Sequence, residues 1–127
     1  MERKEFDKLV EEALARLPQD FREKMINVAV YVEDYPTGDM LRKYGRQGLL
    51  GVFIGVPITV QNWEGGYHPH RIILYQKNIE SFSRNDEEIR EQILTTVIHE
   101  VGHYFGIGEK RIRELQGLPP EPGGGSD

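Results

Sequence analysis

His99, Glu100 and His103 fall in the order His-Glu-Val-Gly-His within a strongly apolar run. On an α-helix, residues four apart lie about 40° apart on one face, so both imidazoles can reach one metal ion. Glu100 projects about 60° from His103, near such an ion without having to bind it. Two imidazoles and an adjacent carboxylate are what a hydrolytic zinc site requires: the imidazoles hold Zn²⁺ and the carboxylate serves as general base. A catalytic zinc takes three protein ligands and leaves a fourth position for water. Gly106 stands three residues after His103, where a glycine can adopt the left-handed backbone that ends a helix and turns the chain. That turn would bring Glu109 back beneath the metal as third ligand, completing an HExxHxxGxxE pattern. Glu114 competes for the same role if the following segment folds back instead.

These residues need a helix to carry them. Asn85 is a natural N-cap, and Asp86, Glu87 and Glu88 suit the positive end of a helix that should run from Asp86 to Tyr104. Ile89, Ile93, Leu94, Val97, Ile98, Val101 and Phe105 form its buried arc, from which both histidines point away. Gly102 inside it permits close backbone packing. A short helix should begin near Glu109 and end before Gly117. Upstream, Phe6, Leu9, Val10, Ala13, Leu14 and Leu17 mark an amphipathic first helix closed by Pro18. Strands are expected at Asn27–Glu33, Leu49–Val56 and Arg71–Gln76, with Ile58–Trp63 extending or re-entering the sheet. The apolar run at 49–56 predicts burial on both faces, and Gly51 and Gly55 mark bulges or close backbone approaches. Residues 38–48 read as a loop with one helical turn near Met40–Tyr44. One domain should span residues 1–117, followed by a Pro/Gly-rich disordered tail at 118–127.

Composition narrows the chemistry further. The 127-residue chain carries a formal charge of −5, which argues against nucleic acid as a partner. Lys110, Arg111 and Arg113 read as a solvated face. The chain has no cysteine, so disulfides, thiolate metal sites and cysteine nucleophiles are excluded. No apolar run is long enough to span a membrane, and the N-terminus is charged, which together predict a cytoplasmic protein.

The stretch from His99 to Glu109, followed by Arg111 to Leu115, resembles the zincin metallopeptidases, and specifically a family of minimal bacterial zincin-like domains. Leu49-Leu50-Gly51-Val52-Phe53, Gly55-Val56-Pro57-Ile58-Thr59 and Arg71-Ile72-Ile73-Leu74-Tyr75 carry the resemblance upstream, so that it covers Asn27 to Leu115. It also looks like the metzincins, with two departures. Their third ligand is normally His where this chain has Glu109. Their methionine turn lies downstream of the motif, whereas the methionines here, Met1, Met25 and Met40, all lie upstream. The resemblance implies an α+β fold, a small mixed sheet packed against the first helix and the motif helix. It also implies an antiparallel edge strand bordering a cleft, expected between Leu49 and Val60, to which a peptide could add as a further strand.

The chemistry expected is hydrolysis of a peptide or protein substrate. His99, His103 and Glu109 would hold Zn²⁺, Glu100 would take the proton of the attacking water, and a carboxylate third ligand would make the zinc a weaker Lewis acid than a third imidazole. Tyr67, His68, His70, Tyr104 and Arg113 are candidates for stabilising the oxyanion, though each reads more naturally as structural or exposed. Trp63 either lines a groove or packs near a turn, and His68-Pro69-His70 as a second metal site lacks further ligands. The competing function is a metal-binding interaction or regulatory domain with little hydrolysis. Glu100 favours the enzyme, because a purely structural site has no use for it.

Overall fold

The computed structural model describes residues 1–44, 48–56 and 69–119. The elements run α1 (Arg3–Leu14), α2 (Gln19–Lys24), β1 (Val28–Glu33), α3 (Gly38–Tyr44), β2 (Gly51–Ile54), β3 (His70–Tyr75), α4 (Gln76–Ser81), α5 (Asp86–Tyr104) and α6 (Glu109–Leu115). The expected strand at Ile58–Trp63 and the tail from residue 120 lie outside the described residues.

The sheet has the order β1-β3-β2, with β1 parallel and β2 antiparallel to β3. The α+β class and the small mixed sheet are therefore as expected. β3 is the central strand, and its Ile72, Ile73, Leu74 and Tyr75 are all buried. A continuous apolar run is what a strand covered on both faces requires. One face, through Ile72 and Leu74, joins Phe6, Leu9, Val10 and Ala13 of α1 and Ile93, Val97, Ile98 and Val101 of α5 in the main core. The other face, through Ile73 and Tyr75, packs with Leu49 and Val52, and Met40 of α3 lies over it.

The site helix matches its expected bounds. Asn85 caps it, its side chain accepting from the Glu88 backbone N–H at 2.9 Å. That bond satisfies one of the donors a helix start leaves unpaired. Elsewhere the structure departs from the sequence pattern. α1 ends at Leu14 rather than Leu17, and the next turn tightens, with Leu17 N–H reaching Leu14 O at 3.2 Å. Pro18 disfavours helical backbone at the residue before it, which accounts for the early stop, while Leu17 stays buried. α2 and α4 had no expected counterpart, since each is six residues with a single fully apolar anchor in the core, Phe21 and Ile79. Burial on β2 fades from Gly51 and Val52 to a half-buried Phe53 and Ile54, because β2 is an edge of the described sheet.

The other edge is protected. Arg3 Nη1 donates to Val32 O at 2.8 Å on β1, and Arg3 Nη2 pairs with Asp34 at 2.7 Å. A charged side chain on an edge carbonyl blocks pairing with another chain. None of the described helices is long and apolar enough to cross a membrane.

Candidate metal centre and cleft

The last turns of α5 carry the expected ligands. His99 and His103 lie one turn apart with ring centroids 5.4 Å from each other, on the side away from the core. Glu100, half-buried, sits between them along the chain.

The chain then reverses at Gly106. Its φ is +73°, and Phe105 before it is the C-cap. Gly106 N–H reaches His103 O at 3.1 Å and Ile107 N–H reaches Gly102 O at 2.9 Å. Those two bonds make a Schellman ending, which needs a residue in the left-handed region after the cap. Gly102 serves the turn in a second way: a Cβ there would lie 3.3 Å from Ile112, so the glycine lets α6 fold back on α5. Among the described residues nothing lies within 4 Å of a Cβ built on Gly106. Gly106→Ala should therefore cost only the backbone strain, about 1–2 kcal/mol. A melting point lowered by several degrees would show this, and an unchanged one would mean the turn is not under that constraint.

The turn delivers Glu109 as the first residue of α6, its Oε2 3.9 Å from His103 Nε2. Glu114, the competing candidate, is exposed and faces Arg111 at 3.8 Å. Arg111 also bonds Asp20 at 2.9 Å, tying α6 to α2. That hydrogen bond is the main reason the Asp20 carboxyl is held below its usual range. A depressed folded-state value means that the pair stabilises the fold above the ordinary aspartate pKa of about 4 and is lost as the pH falls through the folded value. Asp20→Asn should lower the melting point slightly at neutral pH and low salt, with the difference disappearing in strong acid and shrinking at 1 M salt, a concentration at which the screening length is about 3 Å. A difference that persists at high salt would point to packing instead.

Two imidazoles and one carboxylate are a chemically suitable donor set for zinc. In a tetrahedral site with bonds of about 2.0–2.1 Å, ligand atoms stand about 3.3 Å apart, and the His103–Glu109 pair at 3.9 Å is near that spacing. Among the described residues no three His, Asp or Glu side chains already form a closed ligand group. Completion requires His99, His103 and Glu109 to close on a common point.

Beside the histidines lies a cleft of about 290 Å³ between β2 and α5, lined by Leu49, Leu50, Gly51, Thr95, Thr96, His99 and Glu100. Gly51 makes this closeness possible, since a Cβ there would meet Thr96 Cγ2 at 2.7 Å and Ile73 O at 3.0 Å. The expected close approaches at Gly51 and Gly55 are thus real, and Gly55 packs against Tyr104.

The remaining expected residues separate. His70 Nδ1 accepts from Val56 N–H at 2.9 Å, and its ring packs near Phe53 and Tyr104, so it ties the exit of β2 to the start of β3. Arg113 Nε donates to Pro119 O at 2.7 Å. Tyr104 is half-exposed, its ring 4.4 Å from that of Phe53. Trp63, Tyr67 and His68 lie outside the described residues. Thr95 and Thr96 were missed as cleft residues. Their place one turn before His99, on the same helix, was the available signal.

Residues 25–118 match the family model of zincin-like metallopeptidases. Among solved structures, a conserved hypothetical protein from Thermo thermophilus is similar at 22% identity, covering 81% of this chain and 92% of that one with a TM-score of 0.52. That likeness concerns the fold. No curated protein matches the sequence.

Proposed function

We propose, for a chain that belongs to the family of zincin-like metallopeptidases, that it hydrolyses peptide bonds, with His99, His103 and Glu109 as zinc ligands and Glu100 as general base. The observation that carries this reading is the Glu109 carboxylate 3.9 Å from His103, on a turn beside the His99–His103 face and the cleft that Glu100 lines. Bound zinc would supply Lewis acidity, lowering the pKa of water and polarising a carbonyl oxygen.

The chain's own residues do the rest. Glu100 accepts the proton of the attacking water and passes it to the departing amine. Gly106 turns the chain so that Glu109 comes within 3.9 Å of His103, and Arg111, held by Asp20, fixes the helix on which Glu109 sits. Among the described residues β2 is an edge strand, beside which an extended peptide would lie across the cleft.

The test is hydrolysis of a peptide mixture by zinc-loaded protein, with and without a chelator, read by mass spectrometry. Chelator-sensitive cleavage is the expected result. Stoichiometric zinc without any cleavage would instead favour a metal-binding interaction domain, and failure to bind zinc would overturn both.

A further inference from the structure

β1 is the other edge of the described sheet, and its open backbone groups are complementary to themselves. In a parallel pair, alternate residues of a strand bond the neighbour through both N–H and C=O. His70 N–H reaches Asn27 O at 2.9 Å, which assigns Asn27, Ala29, Tyr31 and Glu33 to the ladder with β3. Val28, Val30 and Val32 therefore turn their groups to the free edge. Val28 N–H is taken by Met25 O at 3.0 Å, and Val32 O by Arg3 Nη1 at 2.8 Å. Val28 O, Val30 N–H, Val30 O and Val32 N–H have no partner among the described residues.

An antiparallel copy of β1, related by a two-fold axis at Val30, meets this set group for group. The two Val30 residues exchange both bonds, and each Val32 N–H reaches the second copy's Val28 O. The next bonds of such a ladder would join Val28 N–H to Val32 O, and those two groups are already satisfied within each chain. Arg3 thus guards one carbonyl of β1 and leaves open the register that does not need it.

The side chains fit the same axis. Directly opposed residues of an antiparallel pair share a face. Val28, Val30 and Val32 stand on the face that packs against the main core, so Val30 would meet Val30 and Val28 would meet Val32 there. A groove of about 440 Å³ lies between α1 and this edge, with Val10, Leu14, Val30 and Val32 along it, and the second copy's valines would enter it. On the other face Tyr31, 48% exposed, would lie opposite the second copy's Ala29, whose small side chain leaves room for the ring. The two Tyr31 rings become diagonal neighbours, a spacing that aromatic side chains can bridge. α1 runs against β1, with Arg3 at Val32 and Leu14 beside Met25 and Ile26. The axis therefore sets each Arg3 toward the second copy's Glu11, with the two Asp7 carboxylates between these pairs.

We infer that this chain associates with a second copy of itself through β1, joining two three-stranded sheets into one. The cleft and the candidate metal centre lie toward the β2 edge, so both copies keep them open.

The test is sedimentation of the full chain from about 1 µM to 1 mM, where an interface of modest size dissociates, together with amide exchange read by NMR. A monomer–dimer equilibrium is expected. As the dimer fills, exchange at the Val30 and Val32 amides should slow by about 3-fold or more. The Val28 amide, already bonded within the chain, should not change. Tyr31→Lys places two ammonium groups diagonally across the axis and should raise the dimer Kd by at least about 10-fold. A chain that stays monomeric at the highest concentration would overturn the inference. So would a dimer in which Val30 exchange is independent of concentration, or an unchanged Kd in a folded Tyr31→Lys chain. If Tyr31→Lys does not fold, the exchange pattern of the unmodified chain decides.

Discussion

Glu100→Gln should lower peptide hydrolysis by about 10²–10⁴-fold, the usual contribution of a positioned general base. The side chain keeps its size, but it loses its negative charge and exchanges one acceptor oxygen for an NH2 donor, so it can no longer take a proton. Glu100 is half-buried at the cleft wall beside His99, so the amide should fit without displacing the helix. The loss should appear in kcat, with KM little changed, because the base acts in the transition state rather than in binding. Zinc content should be unaffected, since Glu100 lies outside the proposed ligand set. A Gln variant that cleaves at the normal rate would remove Glu100 from the mechanism.

Ile98→Ala should produce the largest loss of stability among changes near the site. Ile98 is fully buried, directly precedes His99, and belongs to the core that α1, β3 and α5 share. Truncating a buried isoleucine to alanine costs about 2–5 kcal/mol, from lost burial and the cavity left behind. A domain of this size commands only about 5–15 kcal/mol in all, so the melting point should fall on the order of 10 °C. Zinc at about 100 times its Kd should return about 2.7 kcal/mol, because it binds only the folded ligand arrangement. Denaturant titration with and without zinc checks both numbers. A loss below about 1 kcal/mol would mean that the core behind the histidines is looser than its burial indicates.

What the sequence makes legible follows from how local each signal is. The site helix is readable end to end, because its cap at Asn85, its apolar period and its glycine ending at Gly106 all lie within the segment itself. The antiparallel edge strand is legible through the family resemblance, and Gly51 and Gly55 betray the close approach of strand to helix. α2 and α4 are not readable, because one buried apolar residue sets no period. Their cores rest on distant partners: Asn78, for example, is held by Leu49 O at 2.8 Å. The pairing of Arg111 with Asp20, across 91 positions in sequence, is likewise a tertiary event with no local trace. The choice between Glu109 and Glu114 depends on how tightly the chain turns, which Gly102 decides together with Gly106 by admitting Ile112.

The ligand set is the central claim, and zinc affinity of Glu109→Gln beside Glu114→Gln, measured by titration calorimetry, tests it most directly. The proposed arrangement predicts one zinc per chain, an affinity loss of more than about 100-fold for Glu109→Gln, beyond that typical of outer-shell partners, and near-native binding for Glu114→Gln. Near-native affinity in Glu109→Gln, or the loss falling on Glu114→Gln instead, would contradict it.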